Sequence, residues 1–247
     1  MIVLIFLICF GLEKHNTFIN NEHNAVGKEF SGLNIKHICF DLDGTLVKSD
    51  KTIYKATLKT LEHLNIKGEM SEDKFIEMIG MHFNDIFKNF NLDVPDFQEF
   101  IGIYKKLYFD FIDESKVYPG IEDTLSFLKN GRDLKISLLT TKGQDQAEKI
   151  IDHFKFSKYF DFVMGRRDGI AHKPSAEPLL FICKALEIDV RDTMIVGDTE
   201  LDILCGKNAG AITCGVTYGY RTKECLKENN PDYLVDNFSE IISLMSE

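Results

Sequence analysis

Short apolar segments rich in β-formers alternate with amphipathic helical patterns, and this alternation constrains the fold more than any other feature of the chain. The apolar segments cover residues 35–40, 134–139, 160–164, 193–196 and 211–216. Apolar residues recur at three-to-four spacing over 144–154, 176–188, 200–208 and 238–245. Strands that alternate with helices predict an α/β fold with a parallel sheet covered on both faces. Residues 231–235 are expected to add a last short edge strand.

The stretch from residue 49 to residue 118 breaks this alternation, because it carries no strand pattern. Helical spacing is found near Tyr54, over 75–79 and 86–90, and most clearly over 96–114, where aromatic and aliphatic side chains line one face. We interpret this aromatic face as core, since Phe and Tyr are usually buried. The sequence therefore predicts a helical unit inserted after the first strand.

Three parts of the chain are predicted from these patterns. Residues 34–48 and 117–247 form the α/β core, and residues 49–116 form the inserted helical unit. Residues 1–33 are a leader or linker, because a polar, Asn-rich stretch follows the apolar run at residues 2–10. The chain is expected to act as a monomer or homodimer.

The charge balance limits the classes of partner. The 247 residues include 39 acidic and 29 basic side chains, which gives a formal net charge of −10. Such an excess of negative charge disfavours a protein that binds nucleic acid through bulk electrostatics. It does not exclude a small anion, because a few well-placed cations can bind one inside an acidic protein.

The N-terminal apolar run, IVLIFLICF at residues 2–10, bears on localisation. It is too short to span a bilayer, which takes about 20 residues. No Lys or Arg precedes it and no small-residue cleavage site follows it, so it lacks parts of a signal peptide. A cytoplasmic protein is the main expectation, and export or membrane association through residues 1–12 is the alternative.

The cysteine pattern fits a reducing compartment. None of the six cysteines forms a Cys-x-x-Cys pair, and most lie inside apolar runs. Buried, reduced thiols are therefore expected rather than a disulfide framework or a zinc site.

Two carboxylates follow the first predicted strand. Asp41 and Asp43 lie in the segment DLDGTL, where Gly44 permits backbone angles that other residues resist. Ligands of open α/β sheets bind at the carboxyl ends of the strands. Paired carboxylates there can share a cation or hold different protonation states. A solvated Asp-rich turn is the alternative for this segment taken alone.

Three further polar elements follow strands or precede helices. Thr140 and Thr141 come after the second predicted strand and can donate to a phosphate oxygen, or else serve as a helix N-cap. Lys173 precedes a proline in the most basic short stretch, although a surface lysine is usually only solvated. Asp198 and Asp202 lie in GDTELD, where acidic residues also compensate a helix N-terminus. Their joint placement at strand ends favours one common site.

These motifs, in this order and spacing, resemble the haloacid-dehalogenase superfamily of phosphohydrolases. The resemblance covers about residues 34–245, and the tail PDYLVDNFSEII is similar to that of phosphoglycolate-phosphatase-like members. It implies a Rossmann-like parallel-sheet core with an inserted all-helical cap. It also implies hydrolysis of a small phosphomonoester, phosphoglycolate or another phosphorylated metabolite, through an aspartyl-phosphate intermediate.

The resemblance also implies a role for each matching residue. Asp41 would be the nucleophile, and Asp43 the general acid and base. Mg²⁺ would be held by the Asp41 carboxylate, the Asp43 backbone carbonyl and Asp198. The remaining residues are expected to bind the phosphoryl group or support the site: Thr140, Thr141 and Lys173 as substrate-binding residues, and Asp202 as a residue that orients water or Lys173.

Two alternative functions stay open. A phosphosugar mutase of the β-phosphoglucomutase type is one, but that group carries a histidine shortly after the first motif, and residues 49–54, SDKTIY, contain none. A catalytically silent binding protein is the other. A silent member would be free to lose Asp41, Asp43, Lys173 or Asp198, and all four are present.

Overall fold

Six parallel strands form the sheet that the alternation predicts. The computed structural model describes residues 34–131 and 133–245. Its strands are β1 (His37–Phe40), β2 (Val47–Lys48), β3 (Lys116–Val117), β4 (Lys135–Gly143), β5 (Phe162–Arg166), β6 (Thr193–Gly197), β7 (Ile212–Val216) and β8 (Tyr233–Val235). The sheet has the order β5-β4-β1-β6-β7-β8, with β1 at its centre. The α/β, Rossmann-like fold class is therefore confirmed.

Ten α-helices accompany the strands among the described residues. They are α1 (Asp50–His63), α2 (Glu72–Ile76), α3 (Phe83–Asn89), α4 (Phe97–Tyr108), α5 (Ile121–Gly131), α6 (Gln144–His153), α7 (Glu177–Ala185), α8 (Glu200–Ala209), α9 (Lys223–Glu228) and α10 (Glu240–Leu244). A 3-10 helix, Phe109–Glu114, continues α4. Helices α5 and α9 were not among the predicted elements, although Ile121, Leu125 and Leu128 of α5 are buried at helical spacing.

The sheet is buried on both faces, as expected for parallel strands. Successive side chains of β1 point to opposite faces, so Ile38 and Phe40 join one apolar cluster while Cys39 joins another. The second cluster contains Leu179 from α7 and Cys205 from α8. The cysteines described (39, 183, 205, 214 and 225) are all free, and only Cys225 is partly exposed, which agrees with the expectation of reduced thiols.

The aromatic face of the inserted stretch is core, as predicted. Phe100, Tyr104 and Tyr108 of α4 are buried one turn apart. Phe83 of α3 packs edge-on against Phe100 and Tyr104, with ring centroids 5.3 and 4.9 Å apart. These contacts hold α3 against α4, because aromatic pairs in this geometry attract beyond their buried area.

A short antiparallel ladder joins the ends of the helical stretch. Val47 of β2 pairs with Val117 of β3, and Lys48 pairs with Lys116. The expectation of no strand between residues 49 and 118 is therefore wrong at Lys116–Val117, because a two-residue strand is too short to show a periodic pattern. The chain enters and leaves the helices side by side at this ladder. The division into a cap at 49–116 and a core stays a prediction.

Two expectations concern membranes and the N-terminus. No helix in the described part of the chain is long and apolar enough to cross a membrane. The apolar run at residues 2–10, and the leader assigned to residues 1–33, lie outside the described residues.

His37 ties three strands together inside the sheet. Its Nε2 lies 2.7 Å from Ser137 Oγ on β4, and its Nδ1 lies 3.1 Å from Thr193 Oγ1 on β6. Burial lowers the pKa of His37 to about 4, against the opposing effect of the Asp161 carboxylate. The folded protein therefore holds this imidazole neutral at a pH where the unfolded chain protonates it.

We expect His37 to make the protein less stable in acid. The unfolded chain takes up a proton near pH 6.5 and the folded chain only near pH 4, so the contribution to the free energy of unfolding is complete above pH 6.5. It falls by about 3 kcal/mol as the pH drops through that window. Urea unfolding at several pH values should show a shallower pH dependence for His37→Gln, whose amide can keep both contacts. Equal slopes for the two proteins would contradict this.

Candidate active site

The carboxyl ends of the central strands bring the predicted polar residues together. Phe40, the last residue of β1, lies opposite Leu138 on β4 and Val196 on β6. The Asp41 N–H donates to the Val196 carbonyl at 2.9 Å, so the chain beyond β1 stays aligned with the end of β6. Asp41, Thr140 and Asp198 consequently lie at the same edge of the sheet.

Lys173 is buried among acceptors rather than solvated. Its side chain is 3% exposed, and its Nζ lies 2.7 Å from Asp41 Oδ1 and 2.5 Å from Asp202 Oδ1. It also donates to the Leu139 carbonyl at 3.0 Å. Burial acts to lower the pKa of Lys173, but the two carboxylates outweigh it and hold the pKa above its ordinary value. Lys173 therefore stays charged.

Asp202 connects Lys173 to the start of α8. Its Oδ2 accepts hydrogen bonds from the Thr199 amide at 3.1 Å and the Thr199 hydroxyl at 2.7 Å. Its other oxygen faces Lys173. The two interpretations of this residue, helix capping and support of the site, therefore apply together.

Asp198 is fully buried and held by two donors. Thr45 Oγ1 donates to its Oδ1 at 3.1 Å, and the Tyr220 amide donates to its Oδ2 at 2.8 Å. Burial raises its pKa well above the usual value, and Asp41 and Asp202 add to the rise. A carboxylate in such a place calls for a compensating positive charge.

Three carboxylates, those of Asp41, Asp198 and Asp202, lie close together at this edge. One oxygen from each lies within 4.8 Å of the others. Burial raises the pKa of Asp41 to about 7, although Lys173 opposes the shift, and Asp202 and Asp43 add to it. Three carboxylates and one ammonium leave two negative charges in excess, and the ligand atoms are all oxygens. This donor set fits a hard divalent cation such as Mg²⁺.

Asp43 faces a different set of partners. Its Oδ1 accepts a hydrogen bond from Ser49 Oγ, and its Oδ2 lies 3.1 Å from Lys142 Nζ. Ser49 in turn contacts Tyr220, whose hydroxyl accepts from the Ser49 amide at 2.8 Å. Sequence reasoning missed Ser49, Lys142 and Tyr220. Lys142 is the third residue of the motif Thr140-Thr141-Lys142, so a signal for it was available.

Thr140 and Thr141 both lie at the site edge, inside β4 rather than after it. Thr140 is buried, and its Oγ1 accepts from the Lys142 amide at 3.3 Å. Helix α6 begins at Gln144 with Gly143 as its N-cap, so neither threonine caps it. The N-cap alternative is therefore wrong, because β4 continues beyond its apolar run to Gly143.

Two adjoining cavities open onto these residues. A small one of about 20 Å³ is lined by Asp41, Asp43, Thr141, Lys173, Gly80, Thr199 and Leu201. A larger one of about 340 Å³ also touches Asp43 and Thr141, and extends between Lys142 and the helices α2 to α4. The small cavity has room for a group close to the carboxylates, and the larger one for the remainder of a small molecule.

Gly44 permits the close approach of the first loop to Asp198. Its φ is +84°, and a Cβ there would lie 2.1 Å from Asp198 Oδ2. Only glycine satisfies both the backbone angle and the space.

Comparison with known proteins gives the family. A sequence profile of the haloacid dehalogenase-like hydrolases matches residues 38–216. The chain belongs to this family, as the motifs indicated.

Similar proteins are phosphatases and pyrophosphatases of this family. A PpaX protein of Clostridium perfringens is 37% identical over 217 residues, covering 86% of this chain and 98% of that relative. The pyrophosphatase PpaX of Bacillus mycoides is 30% identical, covering 87% and 98%. A solved structure of a predicted phosphoglycolate phosphatase of Haemophilus somnus has a TM-score of 0.73 and 25% identity, covering 85% and 98%. These similarities support the predicted enzyme class, a hydrolase of the phosphatase type.

We expect Gly44→Ala to destabilise the protein more than Gly169→Ala. Both glycines have positive φ, +84° and +78°, but a Cβ at Gly169 meets nothing within 4 Å. The control should cost about 1 kcal/mol from backbone strain, and Gly44→Ala about 1–3 kcal/mol more, because its Cβ overlaps Asp198. Urea unfolding of both variants measures the difference. Equal losses would show that Asp198 moves aside without cost.

Proposed function

We propose that this protein is a Mg²⁺-dependent phosphatase that hydrolyses a small phosphorylated metabolite through an aspartyl-phosphate intermediate. The observation that carries the proposal is the Lys173 ammonium, which lies between Asp41 and Asp202 beside a third buried carboxylate, Asp198. This arrangement gives a nucleophile, a phosphoryl-binding cation and an oxygen-rich cation site close together at one edge of the sheet. Membership of the hydrolase family agrees with this chemistry.

Asp41 is suited to act as the nucleophile. Lys173 holds its Oδ1, and among the described residues none donates a hydrogen bond to its Oδ2. In the first step a carboxylate oxygen of Asp41 attacks phosphorus, and the bond from phosphorus to the leaving oxygen breaks. Lys173 and the Thr140 hydroxyl bind the phosphoryl oxygens and offset their charge.

Asp43 is suited to move the proton. It donates a proton to the leaving oxygen in the first step. In the second step it removes a proton from water, and the water oxygen attacks phosphorus. The bond from phosphorus to the Asp41 oxygen breaks, which releases inorganic phosphate and restores the Asp41 carboxylate. Ser49 and Lys142 hold its two oxygens, and Asp43 lines the larger cavity, where the leaving group would lie.

Mg²⁺ would be bound by the carboxylates of Asp41 and Asp198 and the backbone carbonyl of Asp43. When bound, the ion supplies positive charge that lowers the repulsion between the Asp41 carboxylate and an anionic phosphoryl group. Both oxygens of Asp202 are engaged, one by Lys173 and the other by Thr199, so its role is to orient Lys173.

Pyrophosphate is a second candidate substrate. The similarity to the pyrophosphatase PpaX of Bacillus mycoides, which extends over 98% of that relative, favours it. The same chemistry applies, with inorganic phosphate as the leaving group.

We expect Asp41→Asn to abolish hydrolysis, because an amide cannot form the acyl phosphate. Phosphate release from phosphoglycolate and pyrophosphate should fall at least about 1,000-fold, and Asp43→Asn should cost about 100- to 10,000-fold. Asp236→Asn is the matched control, since Asp236 is an exposed aspartate that pairs with Lys223. Equal phosphate release by wild type and Asp41→Asn would overturn the mechanism.

We expect activity to vanish on treatment with a chelator and to return with added Mg²⁺. In Asp198→Asn the Mg²⁺ concentration for half-maximal activity should rise at least about 10-fold, because a ligand is lost while Thr45 and the Tyr220 amide can still hold the side chain. Titration of phosphate release against Mg²⁺ measures both effects. Full activity in the chelator would exclude a metal-dependent reaction.

A further inference from the structure

Lys142 is a second buried cation at the site. Its side chain is 8% exposed, and its Nζ lies 3.1 Å from Asp43 Oδ2 and 4.7 Å from the centre of the Tyr108 ring. Removing an ammonium from water is costly unless charge and hydrogen bonds compensate it. Among the described residues, Lys142 contacts one carboxylate and one aromatic face, whereas Lys173 contacts two carboxylates and a carbonyl.

The two lysines lie on opposite sides of the proposed reaction. Lys173 contacts Asp41, the nucleophile, and so faces the phosphoryl group that is transferred. Lys142 contacts Asp43, the acid that protonates the leaving oxygen. An atom that accepts a proton from Asp43 lies within hydrogen-bond distance of that carboxyl group, and the next atoms of the leaving group are then within reach of Lys142 Nζ.

The shape of the larger cavity supports this placement. Asp43, Thr141 and Lys142 line it, the first two also line the small cavity, and the larger cavity can take a small organic molecule. Arg166 and Asp168 also line it, and the buried Nε of Arg166 has no hydrogen-bond partner among the residues that the structure describes. Lys105, by contrast, is paired with Asp145 at 2.6 Å.

We propose that Lys142 makes this enzyme selective for substrates whose leaving group carries a negative charge near the scissile oxygen. A carboxylate or a second phosphoryl group meets this requirement, and an uncharged alkyl group does not. The inference rests on the proposed function, because it assigns the leaving group to the Asp43 side of the site. It adds a specificity determinant that acts on the leaving group rather than on the transferred phosphoryl group.

A purely structural role for Lys142 gives a different result. If the lysine only fixes the Asp43 carboxyl group, its loss lowers turnover of every phosphate ester by the same factor. If it binds an anionic leaving group, the loss depends on the charge of the substrate. The ratio of kcat/KM for a charged and an uncharged substrate therefore separates the two roles.

The test compares phosphoglycolate and pyrophosphate with propyl phosphate, whose leaving group is uncharged. Lys142→Met keeps the apolar contact with Tyr108 and removes the charge. We expect kcat/KM for the two anionic substrates to fall about 100-fold, and that for propyl phosphate to fall less than about 5-fold. If the Met variant does not fold, Lys142→Gln is expected to give the same pattern. Lys142→Arg is expected to retain most of the preference for anionic substrates, since it retains the charge.

Lys149→Gln is the matched control. Lys149 also lies over an aromatic ring, that of Phe109 at 5.9 Å, but it is exposed on α6. Its replacement should leave the ratio unchanged. Equal losses for all three substrates in Lys142→Met would overturn this inference and leave the proposed function standing. Absence of Mg²⁺-dependent release from all three substrates by the wild type would overturn both.

Discussion

The contact on which the site depends is the Lys173 ammonium between Asp41 and Asp202. Its three acceptors come from the end of β1, from β4 and from the first turn of α8. A buried ammonium without these partners would be strongly destabilising, and so would two buried carboxylates without the ammonium. Each group therefore fixes the others, and strand ends that are distant in sequence are held at one point.

Much of the fold could be predicted from the sequence because parallel strands buried on both faces leave continuous apolar runs. Five of the six sheet strands lie in such runs, and β8 was expected as a short edge strand. The buried aromatic residues of α4 recur at clear helical spacing. Helix α9 escaped because its six residues are mostly charged and bury only Leu226. The extension of β4 to Gly143 escaped because Thr140 to Lys142 are polar, and the register with β5 is irregular between Leu139 and Gly143.

The site was predictable where short motifs mark its residues. Asp41, Thr140, Lys173 and Asp198 each stand in a short motif, and the structure brings them together. Ser49 and Tyr220 had no such signal, since they are 171 residues apart and are joined by a hydrogen bond that exists only in the folded chain.

The network around Asp43 also explains why a motif gives only part of a site. The Tyr220 amide holds Asp198, while its hydroxyl holds Ser49, which in turn contacts Asp43. One loop residue thereby links Asp198, the proposed cation ligand, to Asp43, the proposed acid and base. Such a link depends on how two loops lie in the folded chain, and the sequence of neither loop alone predicts it.

The β2–β3 ladder allows the inserted helices to vary during evolution. Since Lys48 and Lys116 are neighbours across two paired strands, the helical stretch begins and ends at nearly the same point. Helices can be lengthened, shortened or exchanged between these two residues without moving the ends of β1 or β4. The helices that line the larger cavity can therefore vary while the residues at the sheet edge stay in place.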